Sequence, residues 1–175
     1  MKQLTQQLKS GKMEILEVPF PALNKGAILV RNHYSVISAG TEGKTVTDAR
    51  KGYVAKAKSR KKEVKAVIEM VKSNGLLPTY KLVMNKLEAP AALGYSTAGE
   101  VIAIGEDVTA FKVGDFVACG GAGASHADVV AVPVNLVVAV PKHVDIKQAA
   151  FSTIAAIAIQ GIRQADLRMG ENCLI

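Results

Sequence analysis

The sequence predicts a mainly β fold with helices, a small barrel or sandwich with a helical insertion. Three observations carry that expectation. Short apolar runs are bounded by Gly, Pro and Asn turns every 8–12 residues, the spacing of a barrel or sandwich. One block in the middle changes to helical periodicity. A long Ala-rich stretch follows the last strand signal.

The elements follow in order. Gln3 to Leu8 reads as a strand ending at the turn-like Lys9-Ser10-Gly11-Lys12, and Met13 to Val18 reads as its hairpin partner, closed by Pro19 and Pro21. Asn24-Lys25-Gly26 turns into a strand over Ala27 to Val36. Val64, Val67, Ile68 and Val71 fall at i, i+3, i+4 and i+7, so that stretch reads as a helix stopped by Asn74-Gly75. Pro78 can begin a second helix, with Tyr80, Val83, Met84 and Leu87 as its apolar stripe. Strands return at Glu100 to Ile104, around Val113 to Cys119, at Ala127 to Val132 and at Leu136 to Val140. Asp145 can cap a long, buried helix over Ile146 to Gln164. Met169 to Asn172 reads as a turn, and Cys173-Leu174-Ile175 as the start of a strand.

Composition limits the function. The 175 residues are 49% hydrophobic and 21% charged, which excludes a disordered chain and leaves room for a real core. No apolar run suits a transmembrane helix, and the polar N-terminus is not a signal peptide. With only Cys119 and Cys173, both read as reduced thiols, a cytoplasmic location is expected. The net charge is +7, but residues 44–86 hold 12 Lys and Arg against 3 acids, so the remainder is slightly acidic. A near-neutral body thus carries one basic helical block, read as a solvated face. Aromatics are 5% and Trp is absent, which disfavours base stacking. Neither nucleic acid nor a membrane is the expected partner.

Other candidates are weaker. Cys119-Gly120-Gly121-Ala122-Gly123-Ala124 looks like a phosphate loop but lacks the third glycine, and a strand signal follows it. His33 and His126 read as packing residues, His143 as solvated, and the three share no ligand spacing.

One pattern is specific. Gly94-Tyr95-Ser96-x-Ala98-Gly99-x-Val101-x-x-Ile104-Gly105-x-x-Val108-x-x-Phe111-x-Val113-Gly114-Asp115-x-Val117 resembles the medium-chain dehydrogenase/reductase superfamily, the zinc-type alcohol dehydrogenase family. The resemblance implies a GroES-like partial β-barrel over 1–145 with a basic helical insertion at about 44–88. A crossover helix and the first strand of a truncated Rossmann domain would then occupy 146–175. The family's Gly-x-Gly-x-x-Gly turn would lie just after Ile175, so the chain is expected to be the N-terminal part of a longer protein.

The same resemblance addresses zinc. Ala39 stands where zinc members carry Cys, and Tyr95 and Ser96 stand for their His and Glu. A later ligand position falls near Thr153. Alanine cannot ligate, and Tyr, Ser and Thr are weak zinc donors, so no zinc is expected. Without a Lewis acid, a carbonyl or enone oxygen needs hydrogen-bond donors. The resemblance nominates Thr41, Tyr95 and Glu42 as catalytic, Ser38 and Ser96 as cleft residues, and Thr153 as a cofactor contact. It implies NADP or NAD, held mainly by a C-terminal coenzyme domain, a small-molecule substrate, and homo-oligomerisation of the full-length protein as an option. The zinc-free quinone oxidoreductase branch is similar. So is the subgroup fused to a Gfo/Idh/MocA-type module. A non-catalytic interaction module using the basic insertion is the alternative.

Overall fold

A computed structural model describes residues 1–7, 10–50, 61–166, 168 and 170–174. Lys51, Lys56, Lys58 and Arg60 of the basic block, and Ile175 of the expected last strand, lie outside these. The chain divides into two compact units: residues 1–2, 17–37 and 94–175 form one, residues 3–16 and 38–93 the other.

The first unit is built on a five-stranded antiparallel sheet. Its strands are β3 (Ala27–Ser35), β5 (Ser96–Ile104), β6 (Phe116–Gly120), β7 (Val129–Pro133) and β8 (Val137–Ala139), in the order β7-β3-β5-β6-β8. The mixed fold with a curled sheet is the partial barrel that the sequence predicts. Strand alternation sends Ile28, Val30, Val101, Val117, Val130 and Val132 into one core, where Ile28, Val30, Val101, Val117 and Val132 are completely buried. Each such side chain contributes roughly 1.5–3 kcal/mol by leaving water. A second, smaller cluster joins Ala98 and Ala118 to Ala149 and Ala150. Small residues there let the chain lie close against the sheet.

Three expectations change in this unit. Strand β5 begins at Ser96, earlier than the apolar run, because Ser96 and Thr97 are buried and paired with Gly120 and Cys119. Ile146 to Gln164 is not one buried helix. A short helix α4 (Ile146–Ala149), capped by Asp145, is followed after Ala150 and Phe151 by α5 (Ser152–Gln164). No residue of α5 is buried, and Ile157 is 60% exposed. Between Ile146 and Gln164 only Ala149 and Ala150 are buried; α5 touches the sheet at its start, where Thr153 lies beside Gly120, and most of its length stays exposed. Cys173 and Leu174 form no strand.

The second unit holds the three-stranded sheet β2-β1-β4, made of β1 (Lys2–Gln7), β2 (Met13–Glu17) and β4 (Pro90–Ala92). β1 and β2 are the predicted hairpin. Helices α1 (Ala39–Arg50), α2 (Lys61–Asn74) and α3 (Leu76–Glu88) follow. Helix α3 starts two residues before Pro78. A proline in the first turn is tolerated because its missing N–H would have no helical partner. Thr79 ties the pair together: its single buried O–H is shared between the carbonyls of Gly75 (2.8 Å) and Met70 (3.1 Å). The predicted stripes are only half realised. Val67, Val71, Val83 and Met84 are partly buried, whereas Val64, Ile68 and Tyr80 are exposed.

Candidate functional site

The predicted site residues fall in both units. Ser38, Thr41 and Glu42 belong to the unit with the helices, and Tyr95, Ser96 and Thr153 to the sheet unit.

Ser38 and Glu42 build the start of α1. The Ser38 N–H donates to Glu42 Oε1 (3.0 Å), and Ser38 Oγ accepts from the Thr41 N–H at 3.5 Å. This is a reciprocal N-terminal cap of the capping-box kind, with the acid one residue later than usual. Glu42 is buried, and its charge sits in the first turn, where the helix dipole favours an anion. Thr41 is exposed.

In the sheet unit, one end of β3, β5 and β6 gathers several polar groups. Ser96 is fully buried, and its Oγ donates to the carbonyl of Ala150 at 2.6 Å. That bond joins β5 to the break between α4 and α5. Tyr95 immediately precedes it and is half-buried. Thr153 is half-buried beside Gly120, where an added Cβ would lie 2.8 Å from Thr153 Oγ1. Ser35 ends β3 opposite Thr97, and the Val36 N–H donates to the Ser96 carbonyl at 3.0 Å.

A further pair was not legible in the sequence. His126 is 9% exposed, and its Nδ1 lies 2.9 Å from Ser35 Oγ. The imidazole lies against Gly94, whose φ is +96°. A Cβ on Gly94 would come within 2.7 Å of the His126 backbone and 2.9 Å of its ring. Any other residue at 94 would be strained and would displace the imidazole. His126 is thus packed, as expected, but packed against the site and hydrogen-bonded to an exposed serine. His33 lies in β3, its ring edge-on to Phe116 at 5.7 Å, and His143 is exposed in a turn.

The positions that matter for zinc do not fit it. Ala39 opens α1, Tyr95 and Thr153 are weak donors, and Cys119 is buried. Burial pushes the Cys119 thiol up to about 12, with the Thr97 hydroxyl pulling slightly the other way. It stays protonated at neutral pH and is a poor ligand and nucleophile. Among the described residues, no group of three or more His, Cys, Asp or Glu could hold a metal ion. The glycines after β6 lead to β7 and not to a helix, so this stretch lacks the helix N-terminus that cradles a pyrophosphate. A cavity of about 460 Å³ is lined by Phe116, Val140, Pro141, Lys142 and Ile146 among others, and by none of the predicted site residues. No helix among the described residues is long and apolar enough to cross a membrane.

Comparison with known proteins agrees with this architecture. Residues 60–142 match the family described as the alcohol dehydrogenase GroES-like domain. The (R,R)-butanediol dehydrogenase of Bacillus subtilis (strain 168) is 24% identical over 111 residues, which covers 50% of this chain and 32% of that protein. The quinone oxidoreductase of Coxiella burnetii superposes with a TM-score of 0.67 at 21% identity, over 98% of this chain and 47% of the other. The 2R,3R-butanediol dehydrogenase structure from Bacillus subtilis gives 0.66 at 17% identity, over 98% and 49%. An Escherichia coli quinone oxidoreductase complexed with NADPH gives 0.63 at 15% identity, over 93% and 40%. The fold is therefore that of a GroES-like partial barrel, and the chain spans less than half the length of each of these relatives.

Proposed function

We propose that this chain is the substrate-side part of a zinc-independent NAD(P)-dependent oxidoreductase acting on a carbonyl, enone or alcohol. The observation that carries the reading is the donor set. The sequence has Ala39, Tyr95 and Thr153 at the positions where the resemblance expects zinc ligands, and none of them offers a thiolate, imidazole or carboxylate. When bound, the coenzyme supplies a hydride. This chain's residues bind and orient the oxygen to be reduced or released. Tyr95 and Thr41 are the proposed hydroxyl donors, Ser38 and Ser96 shape the cleft, and Thr153 contacts the coenzyme. Glu42 acts by holding the first turn that carries Thr41. A coenzyme-binding domain completes the enzyme, and the Gfo/Idh/MocA fusion is its proposed setting.

Two measurements test this. The chain alone, assayed with NADPH or NADH and a quinone, ketone or alcohol, should show no turnover; turnover would refute the need for a second domain. Metal analysis should find no bound zinc. One tight equivalent would overturn zinc independence.

One observation favours the alternative of an interaction module. Leu76, Leu77, Tyr80 and Leu82 of α3 are all more than half exposed, beside a lysine-rich sequence. Such a surface suits a partner protein. If the full-length protein proves inactive while Leu77→Lys disrupts an oligomer, that reading replaces the enzyme.

A further inference from the structure

We infer that Ser35 and His126 form a two-way hydrogen-bond subsite for the ligand oxygen, able to hold either a carbonyl or an alcohol. This rests on the reading of the sheet unit as the substrate side of an oxidoreductase.

The arrangement is one-sided. Ser35 is exposed at the end of β3, while its partner imidazole is buried. An exposed serine can be satisfied by water and does not need a buried histidine. The structure nevertheless holds the ring in place from several directions. Gly94 removes the side chain that would occupy its space. The Asn32 amide donates to the carbonyls on both sides of His126, Ser125 at 3.2 Å and Ala127 at 2.8 Å. The Asn32 N–H donates to the Asp128 carbonyl at 2.9 Å, which fixes the next peptide. A ring anchored in this way presents Nδ1 to Ser35 in one geometry, as a preorganised site requires.

That geometry gives the serine two states. When Nδ1 carries a proton, it donates to Ser35 Oγ, and the Ser35 O–H is directed outward. It can then donate to a carbonyl oxygen. When Nδ1 is bare, the Ser35 O–H donates inward, and Oγ can accept from an alcohol O–H. A lone serine can also rotate, but a buried imidazole couples its orientation to a proton position. A carbonyl ligand therefore selects one arrangement and an alcohol the other. Ser35 is the binding residue; His126 acts through it as a positioning residue. Tyr95 follows Gly94 directly, so the subsite adjoins the tyrosine already nominated.

The test uses this chain labelled with ¹⁵N in its histidine rings and backbone, with cyclohexanone and cyclohexanol as separate probes. His126→Phe, which keeps a ring against Gly94, identifies the His126 signals. The expected result is that the ketone moves Nδ1 towards its protonated shift and the alcohol moves it the other way. Ser35→Ala should abolish both responses, and Ser35→Thr should retain them. If the probes move the Tyr95 amide but leave the His126 ring unchanged, the subsite is wrong and the cleft reading survives. If neither the Tyr95 amide nor the ring responds, both are wrong. A His126 response that persists in Ser35→Ala also overturns the subsite, because the hydroxyl is then not the contact.

Discussion

The sheet unit and the helical pair of the other unit answer the same sequence signal differently. In the sheet, alternating valines point into a closed core, and five of the central aliphatic side chains have no exposure at all. In α2 and α3, residues at equally regular helical spacing stay partly or largely in water. Periodicity therefore specifies the element in both places, but burial only where another layer lies opposite. The sheet has its second layer built in. The helices hold each other mainly through a few side chains, with Thr79 as the clearest pin.

This contrast can be broken or sharpened by mutation, starting where the effect is largest. Ile28→Ala in the sheet core should cost about 2–5 kcal/mol in urea unfolding, from lost transfer energy plus a cavity. A cost below 1 kcal/mol would show the core to be loosely packed. Next comes pH. The folded state holds the Cys119 proton up to about 12, against 9.0 for an ordinary thiol, so the unfolded chain releases that proton first. Stability should fall as pH rises between those values, by up to about 1.4 kcal/mol per pH unit from this group. Comparing Cys119→Ala with the parent across that range isolates the effect, and parallel curves would refute it. Thr79→Ala should cost about 1 kcal/mol, read as lost helicity on mild heating, because it removes the O–H shared between two carbonyls at the α2–α3 junction. Smallest of all, Leu77→Lys should change unfolding by no more than about 0.5 kcal/mol, since Leu77 is 72% exposed. A larger loss would mean that the apolar side of α3 is covered, and the contrast between the two regions would disappear.

Much of the sheet was readable because strand alternation, turn glycines and prolines are local signals. The β1–β2 hairpin, the α2 helix and all five strands of the large sheet lie close to where their residues predict them. The start of β5 was missed because Ser96 and Thr97 are polar, and nothing local tells that their hydroxyls are buried. The long Ala-rich helix was misjudged for the opposite reason: apolar composition signals burial only if something is there to bury against. At the site, the expectation of no zinc comes from residue identity at Ala39 and Tyr95, which the sequence alone displays. The Ser35–His126 pair could not be read, because 91 residues separate its members. Its one sequence trace is Gly94, which reads as a turn glycine but makes room for a ring.

The Ser96–Ala150 hydrogen bond has a mechanical meaning. It fastens the sheet at the point where the chain breaks between two helices, one residue from Tyr95. Helix α5 is thereby a lever with a fixed fulcrum: a load applied along its exposed length is delivered as torque at the start of β5. Moving the far end of that lever is a way to reach the tyrosine without touching it.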